Sequence, residues 1–335
     1  MNTHLAFMQR AIALSQNGLG RTAPNPIVGA VIVATDGSVI AEGFHDRHKS
    51  PDHAEVVALK IAGEKARGAT MYVTLEPCNH TGTTGPCTQA IIDAGIKSVV
   101  YAVADPNIVA SGGAAALKAA GIEVVAGIGD DEASYSNRAW LTKILHGRPF
   151  ITWKVAATLD GKVAAADGTS KWITNDASRA DVQKVRRSVD AIMVGTQTVI
   201  ADNPYLVPHD GAATKNPLRI VCGTQELPKS ANVFNDAAQT KVIASKDLKV
   251  IAAEVLATGV NHIVLESGPT LATAMLQAGM LDELMFYQGA SVLGAGKSFV
   301  AELGVLSIDN AIGLQRISTE TFGNDVKTVY RIAKV

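Results

Sequence analysis

Cysteine is scarce in this chain, three among 335 residues. That small, odd number excludes a disulfide scaffold and makes a reducing compartment the simpler setting. Neither sign of charge predominates, with 30 Lys and Arg against 31 Asp and Glu for a formal net charge of −1. Such a balance offers no broad field to draw in a nucleic-acid backbone or an anionic membrane, so the expected partner is a small molecule. Aromatic residues make up 5% of the chain, and a core must be built from Ala, Val, Ile and Gly, which suits parallel α/β packing. No run approaches the ~20 apolar residues of a membrane span. Residues 1–15 carry Leu5, Met8, Ala11 and Ile12 at helical spacing and lack the uninterrupted apolar stretch of a signal peptide. The expected location is the cytoplasm. Absent too is a G-x-G-x-x-G after the first strand of the second half, which excludes the standard dinucleotide fingerprint there.

What is present is a chain long enough for two domains, since single cores stop growing at ~250–300 residues. The first half alternates apolar runs with helical patterns. Strands are expected at 27–33, 70–75, 99–103 and 123–125, and helices at 54–66, 88–94 and 113–120. The pattern weakens from Asp130 to Arg148, and the polar stretch His146-Gly147-Arg148-Pro149 reads as a boundary, giving domains 1–147 and 148–335. Beyond it the rhythm resumes, with strands at 150–156, 191–195, 218–221, 242–244, 262–266 and 283–287 and helices at 176–189 and 270–278. Asn175 or Thr174 is placed to cap the first of these helices.

The sharpest chemical signal is His53-Ala54-Glu55 followed by Pro77-Cys78 and Pro86-Cys87. One imidazole and two thiolates make a three-ligand zinc site, which leaves a position for water. Glu55, two residues beyond His53 at the start of a helix, is placed to move a proton without binding the metal. Zinc-dependent nucleobase deaminases carry H-x-E with P-C-x-x-C; here the cysteines are nine apart, and residues 79–86 form a loop at the mouth of the site. The alternatives are inert packing of the three residues, or structural zinc completed by His45, His48 or His80.

At these residues the chain resembles the bifunctional riboflavin-biosynthesis deaminase/reductases. Asn25-Pro26-Ile27-Val28-Gly29, Gly43-Phe44-His45, the loop from Pro77 to Cys87 and Ala104-Asp105-Pro106-Asn107 carry the likeness. The resemblance implies an N-terminal cytidine-deaminase-like αβα domain and a C-terminal α/β domain like dihydrofolate reductase. It implies Zn2+ on His53, Cys78 and Cys87, proton transfer by Glu55, and a pyrimidine pocket lined by Asn25, His45 and His80. Two of these, His45 and His80, read equally as solvated loop residues, and Asn25 as a turn residue before proline. Three positions depart from the family pattern: Thr83 stands where a cation is usual, the interval from His45 to His53 is longer than usual by one residue, and Asn107 is followed by Ile108.

In the second half, Gly296-Lys297-Ser298 invites a P-loop reading, but the required first glycine falls at Ser291 and excludes it. Glu266-Ser267-Gly268-Pro269-Thr270 ends a strand and opens a helix, where free N–H groups can meet a phosphate; it is otherwise an ordinary turn. The family's reductase domain is resembled at 157–162, 170–174, Arg186, Asp190-Ala191 and 195–204. That likeness implies NADPH contacts from Ala156, Trp172, Thr198, Asp202, Gly268, Pro269, Thr270, Leu271, Ala272, Thr273 and Ala274. It implies ribosyl-phosphate contacts from Ser170, Arg186, Leu206 and Glu266. Taken alone, Trp172 is as readily a core aromatic, and Arg186 part of a solvated face. Where the family carries an arginine, this chain has His209, without a permanent charge. The expected reaction is deamination of 2,5-diamino-6-ribosylamino-4(3H)-pyrimidinone 5′-phosphate followed by NADPH reduction of its ribosyl group to ribityl, in a homodimer. A deaminase with an inactive second domain, a nucleic-acid base deaminase and a zinc-bearing binding protein are the rival readings.

Overall fold

The computed structural model describes residues 3–82, 84–211 and 215–333. It divides the chain into two compact units, Met1–Gly147 and Arg148–Val335. The first unit runs α1 (Thr3–Ser15), β1 (Gly29–Val33), β2 (Val39–Phe44), α2 (Ala54–Ala62), β3 (Thr70–Leu75), α3 (Cys87–Asp93), β4 (Ser98–Val103), α4 (Gly113–Ala119), β5 (Glu123–Ala126), α5 (Asp130–Ser136) and α6 (Arg138–His146). Its sheet has the order β2-β1-β3-β4-β5. β1 is antiparallel to both neighbours, whereas β3, β4 and β5 are parallel and joined through α3 and α4. The apolar runs that read as strands, such as Gly29-Ala30-Val31-Ile32-Val33, are buried throughout, as strands covered on both faces must be.

Two readings need correction here. β2 had no counterpart in the expected elements, and the supposedly weak stretch from Asp130 to Arg148 holds α5 and α6. α5 opens with Asp130, Asp131 and Glu132, whose charges suit the positive end of a helix, yet it buries Ala133 alone, and α6 buries Trp140 alone. So little apolar surface leaves almost no periodic signal. Gly147, at φ 64°, ends α6 in the left-handed conformation favoured at helix C-termini.

The second unit contains β6 (Phe150–Thr158), β7 (Lys162–Ala164), α7 (Asp176–Arg187), β8 (Ala191–Gly195), α8 (Thr196–Asp202), β9 (Leu218–Cys222), β10 (Thr240–Ile243), α9 (Leu248–Leu256), β11 (His262–Leu265), α10 (Pro269–Gln277), β12 (Glu283–Gly289), β13 (Lys297–Ser298), β14 (Leu314–Phe322) and β15 (Asp325–Ile332). Eight strands form one sheet in the order β10-β9-β8-β11-β6-β12-β15-β14. The strands from β10 to β12 are parallel, and the β14–β15 hairpin adds an antiparallel edge with a register shift between Arg316 and Ser318. Asn175 caps α7, its side chain accepting the Ser178 N–H. β13 pairs with β7 as a short two-stranded ribbon, so Lys297 lies on a strand and not in a P-loop turn.

A close backbone approach governs how α2 lies on the first sheet. A Cβ on Gly43 of β2 would sit 2.4 Å from the Ala54 carbonyl and 2.6 Å from the Ala58 nitrogen of α2. Gly43→Ala must push the helix that begins at His53 off its strand. We expect a loss of about 2 kcal/mol in urea unfolding, together with reduced bound zinc by metal analysis; wild-type values for both would show that the contact is not limiting.

Candidate active sites

Three potential ligands converge at one end of the first unit. His53 is the extended N-cap residue of α2, Cys78 follows β3, and Cys87 opens α3. His53 Nδ1 lies 3.6 Å from Cys78 Sγ and 3.3 Å from Cys87 Sγ, and the Cys87 N–H donates to Cys78 Sγ at 3.4 Å. Tetrahedral zinc, with bonds of ~2.3 Å to sulfur and ~2.1 Å to nitrogen, would set N and S about 3.6 Å apart, so the donor set fits the ion in type and spacing. The thiol of Cys87, sharing its proton side chain to side chain, draws the Cys78 thiol below its ordinary range, while that same contact and burial push Cys87 up. A thiolate is therefore already favoured, and thiolate is the form that ligates metal.

The loop carrying Cys78 is held from two sides. A Cβ on Gly113 would fall 1.8 Å from the Pro77 carbonyl, so only glycine allows α4 to start there. Glu76, which the sequence reading did not single out, is buried and accepts the N–H groups of Asp105 at 3.2 Å and Ala114 at 2.9 Å. Beside the ligands, Glu55 in the first turn of α2 is 3% exposed, and its Oε2 has no hydrogen-bond partner. Burial raises the pKa of that carboxyl above its ordinary value. His45 is fixed on both nitrogens: Nδ1 lies 2.8 Å from the Asp52 carbonyl and must donate, so Nε2 accepts from Asn25 Nδ2 at 3.1 Å. Burial lowers its pKa and favours that neutral ring. Asn25, His45, His53, Glu55, Cys78 and His80 all line a cavity of about 540 Å³, with Cys87 buried beneath it.

The second unit has a larger cleft, about 1160 Å³, along the C-terminal ends of its parallel strands. Ligands of open α/β sheets commonly bind at that edge. Arg186 of α7 grips Glu266, just after β11, through two hydrogen bonds of 2.9 and 2.8 Å. Burial alone would raise the Glu266 carboxyl, but Arg186 and Lys154 outweigh it and bring it to about 2. Lys154 of β6 lines the same cleft, and its burial lowers its pKa. This cation was missed because it interrupts an otherwise apolar strand without any motif around it. Trp172 is 70% exposed, with the Arg179 guanidinium 4.5 Å from its ring centroid, so it is a ledge of the cleft and not a core residue. A Cβ on Gly289 would meet the Ile173 carbonyl at 2.2 Å, and that tight contact holds the Trp172 loop against β12.

Both halves match known families. Residues 1–103 fit the cytidine and deoxycytidylate deaminase zinc-binding region, and residues 149–328 fit the RibD C-terminal domain. The riboflavin biosynthesis protein RibD of Mycobacterium tuberculosis is 44% identical over 324 residues, covering 95% of this chain and 94% of its own. The chain belongs to the RibD family. Two solved RibD-type structures share the whole architecture: the deaminase/reductase of Thermotoga maritima (TM-score 0.91, 33% identity) and RibD of Acinetobacter baumannii (TM-score 0.89, 34% identity), each aligned over 99% of both chains. The expected two-part α/β fold is thereby found, and with it the bifunctional deaminase and reductase of riboflavin biosynthesis.

Within this RibD framework the remaining expected residues can be placed. Among the described residues, the group whose ligand atoms lie within 4.8 Å of one another is His53, Cys78 and Cys87, without His45, His48, His80 or Glu55. Ala156, Ser170, Thr198, Asp202, Gly268, Pro269, Thr270, Leu271 and Ala274 line the reductase cleft with Arg186 and Glu266. Two expected contacts do not: Ala272 is packed in the core, and the Thr273 hydroxyl accepts the Ala301 N–H, because α10 turns those positions toward the sheet. Leu206 edges the cleft but is 2% exposed and packs with Val189, Ile192 and Val199. His209 also lines the cleft, with its ring edge-on to Tyr205 and burial lowering its pKa. Position 83 lies outside the described residues.

The depressed Glu266 value sets a pH dependence. A carboxyl unfolding to its ordinary ~4.3 contributes stability that is complete above that value and is lost as pH falls toward about 2. Glu266→Gln should cost roughly 3 kcal/mol of stability in urea unfolding at pH 7, since it leaves Arg186 buried without its charge partner. The gap between variant and wild type should narrow as pH drops from 5 to 2; a constant gap would show that Glu266 is not ionised through that range.

Proposed function

We propose that the first unit hydrolytically deaminates 2,5-diamino-6-ribosylamino-4(3H)-pyrimidinone 5′-phosphate, and that the second uses NADPH to reduce the ribosyl group of the product to ribityl. The observation that carries the first step is a buried, unpartnered Glu55 carboxylate oxygen beside a three-ligand thiolate and imidazole set in one cavity. Bound by His53, Cys78 and Cys87, zinc would lower the pKa of a water in its remaining position to ~7. Glu55 Oε2 takes a proton from the attacking water and delivers it to the departing amine, so that water and the ring amine become carbonyl and ammonia. Asn25, His45 and His80 orient the ring; the fixed tautomer of His45 holds the Asn25 amide at one setting. A set of three ligands with no fourth among the described residues favours this reading over structural zinc. The near-neutral charge balance favours a small substrate over nucleic acid.

The Thermotoga maritima relative is a diaminohydroxyphosphoribosylaminopyrimidine deaminase and 5-amino-6-(5-phosphoribosylamino)uracil reductase, which supports the same substrates here. In the second unit the first turn of α10, with Gly268 as N-cap and Pro269 following, offers backbone N–H groups to the NADPH phosphates. Ala156, Trp172, Thr198, Asp202, Thr270, Leu271 and Ala274 complete the cofactor's surroundings, and Ser170, Arg186, Leu206 and Glu266 those of the ribosyl phosphate. Hydride addition at C1′ breaks the C1′–O4′ bond, and O4′ needs a proton. Lys154 Nζ supplies it, its burial making the ammonium a readier acid. We place the enzyme in the cytoplasm as a homodimer; the free thiols of Cys78, Cys87 and Cys222 suit a reducing compartment.

Zinc-loaded protein given the diaminopyrimidinone substrate should release ammonia and then consume NADPH at 340 nm. Glu55→Gln should keep its zinc and lose ~10²–10⁴-fold in ammonia release; near-wild-type release would remove Glu55 from the reaction. Lys154→Met should lose a similar ~10²-fold or more in NADPH oxidation while ammonia release continues. Undiminished oxidation would assign the proton to another donor.

A further inference from the structure

The deaminase cavity is polar in a lopsided way. Its carboxylates, Glu55, Glu76 and Asp105, belong to the start of α2 and the ends of β3 and β4. Among the described lining residues, the lysine and arginine are Arg47 and Lys49, on the loop that joins β2 to α2. The other loop at the mouth, residues 79–86, contains no lysine or arginine. A phosphate monoester carries about −1.5 to −2 charges at pH 7, and must lie away from the carboxylates.

We infer that the β2–α2 loop, through Arg47 and Lys49, is the phosphate-recognition element of the deaminase site and sets its preference for a phosphorylated ribosylamine; this rests on the deaminase reading above. The loop is built to present those side chains. Buried Asp46 organises it: its backbone carbonyl accepts the Lys49 and Ser50 N–H groups at 3.0 and 3.1 Å, and its carboxylate accepts the His48 N–H at 3.3 Å. That carboxylate is engaged by Arg21 at 2.9 Å, whereas Lys49 Nζ stands 4.0 Å away. The neighbouring Asp52 is matched by Lys60 at 2.6 Å. Arg21, Arg47 and Lys49 thus outnumber Asp46, and the excess positive charge lies on exposed side chains at the mouth. Arg47 makes one long contact, 3.5 Å to the Ala23 carbonyl. A phosphate would give both cations charge-assisted partners in place of water. His48, exposed between them, adds a further donor.

The test compares ammonia release from the 5′-phosphorylated ribosylamine and from its dephosphorylated counterpart, by wild type, Arg47→Ala, Lys49→Ala and the double variant. Each single change should cut the kcat/KM preference for the phosphorylated substrate roughly threefold to tenfold, and the double change tenfold or more, chiefly through KM. Lys65→Ala, which removes a charge away from the cavity, should leave that preference intact. An unchanged preference in the double variant, or a loss equal for both substrates, overturns the inference. Calorimetric titration of the same proteins with ribose 5-phosphate, in which the reductase cleft contributes alike to all and the deaminase loop is read from the difference between them, decides separately from catalysis. If wild type releases no ammonia from either substrate, the deaminase reading fails, yet weaker ribose 5-phosphate binding in the double variant would still support this loop as a phosphate site. Equal binding would overturn it.

Discussion

Three ligating atoms can meet within a few ångströms only where the backbones that carry them come nearly into contact. In the first unit this closeness is enforced by residues that have no side chain to intrude. Gly43 lets α2 settle on β2 and so places His53, while Gly113 lets α4 begin against Pro77 and so places the Cys78 loop. Glu76 then closes the arrangement, tying the end of β4 and the start of α4 to the strand that leads into the cysteine. The Cys87 N–H, donating to Cys78 Sγ, ties the start of α3 to the loop after β3 and keeps the two sulfurs side by side.

The two cavities solve the problem of buried charge differently. In the deaminase site a carboxylate oxygen is left without a partner, which is costly unless it has a task. In the reductase cleft the carboxylate is gripped by a bidentate arginine with a lysine nearby, so it stays ionised and lends its field to whatever binds. The first arrangement suits a group that must gain and lose a proton. The second suits one that must keep its charge.

Much of this was legible in the sequence because short motifs and fully buried strands leave strong local signals. His53-Ala54-Glu55 with the two Pro-Cys steps identified the metal cluster, and the parallel strands showed as aliphatic runs. What escaped was encoded in pairs far apart along the chain. Glu76 and Lys154 are charged residues in or beside apolar strands, and nothing near them tells that their partners are the N–H of Ala114 or the carboxylate of Glu266. The β14–β15 hairpin was missed for a related reason. β15 turns Asp325 and Lys327 inward, where Ser178 donates to the first and the second reaches Asp181, so polar anchors for α7 break the expected alternation of apolar residues. Ala272 and Thr273 show the converse: a run of consecutive residues read as cofactor contacts cannot all face one way on a helix.

The two borders of the eight-stranded sheet carry a consequence for how the protein survives its own synthesis. Parallel strands must wait for long crossovers before they pair, and a slow assembly leaves unpaired strand borders open to other chains. Each border is blunted by a different device. β10 is four residues long, and β14 is interrupted by the shift between Arg316 and Ser318 and carries Arg316 and Glu320 along its length. Neither offers the long, flat, uncharged ladder that seeds intermolecular β-structure. The partly folded chain is thereby guarded against aggregation at the strands that would otherwise be most exposed to it.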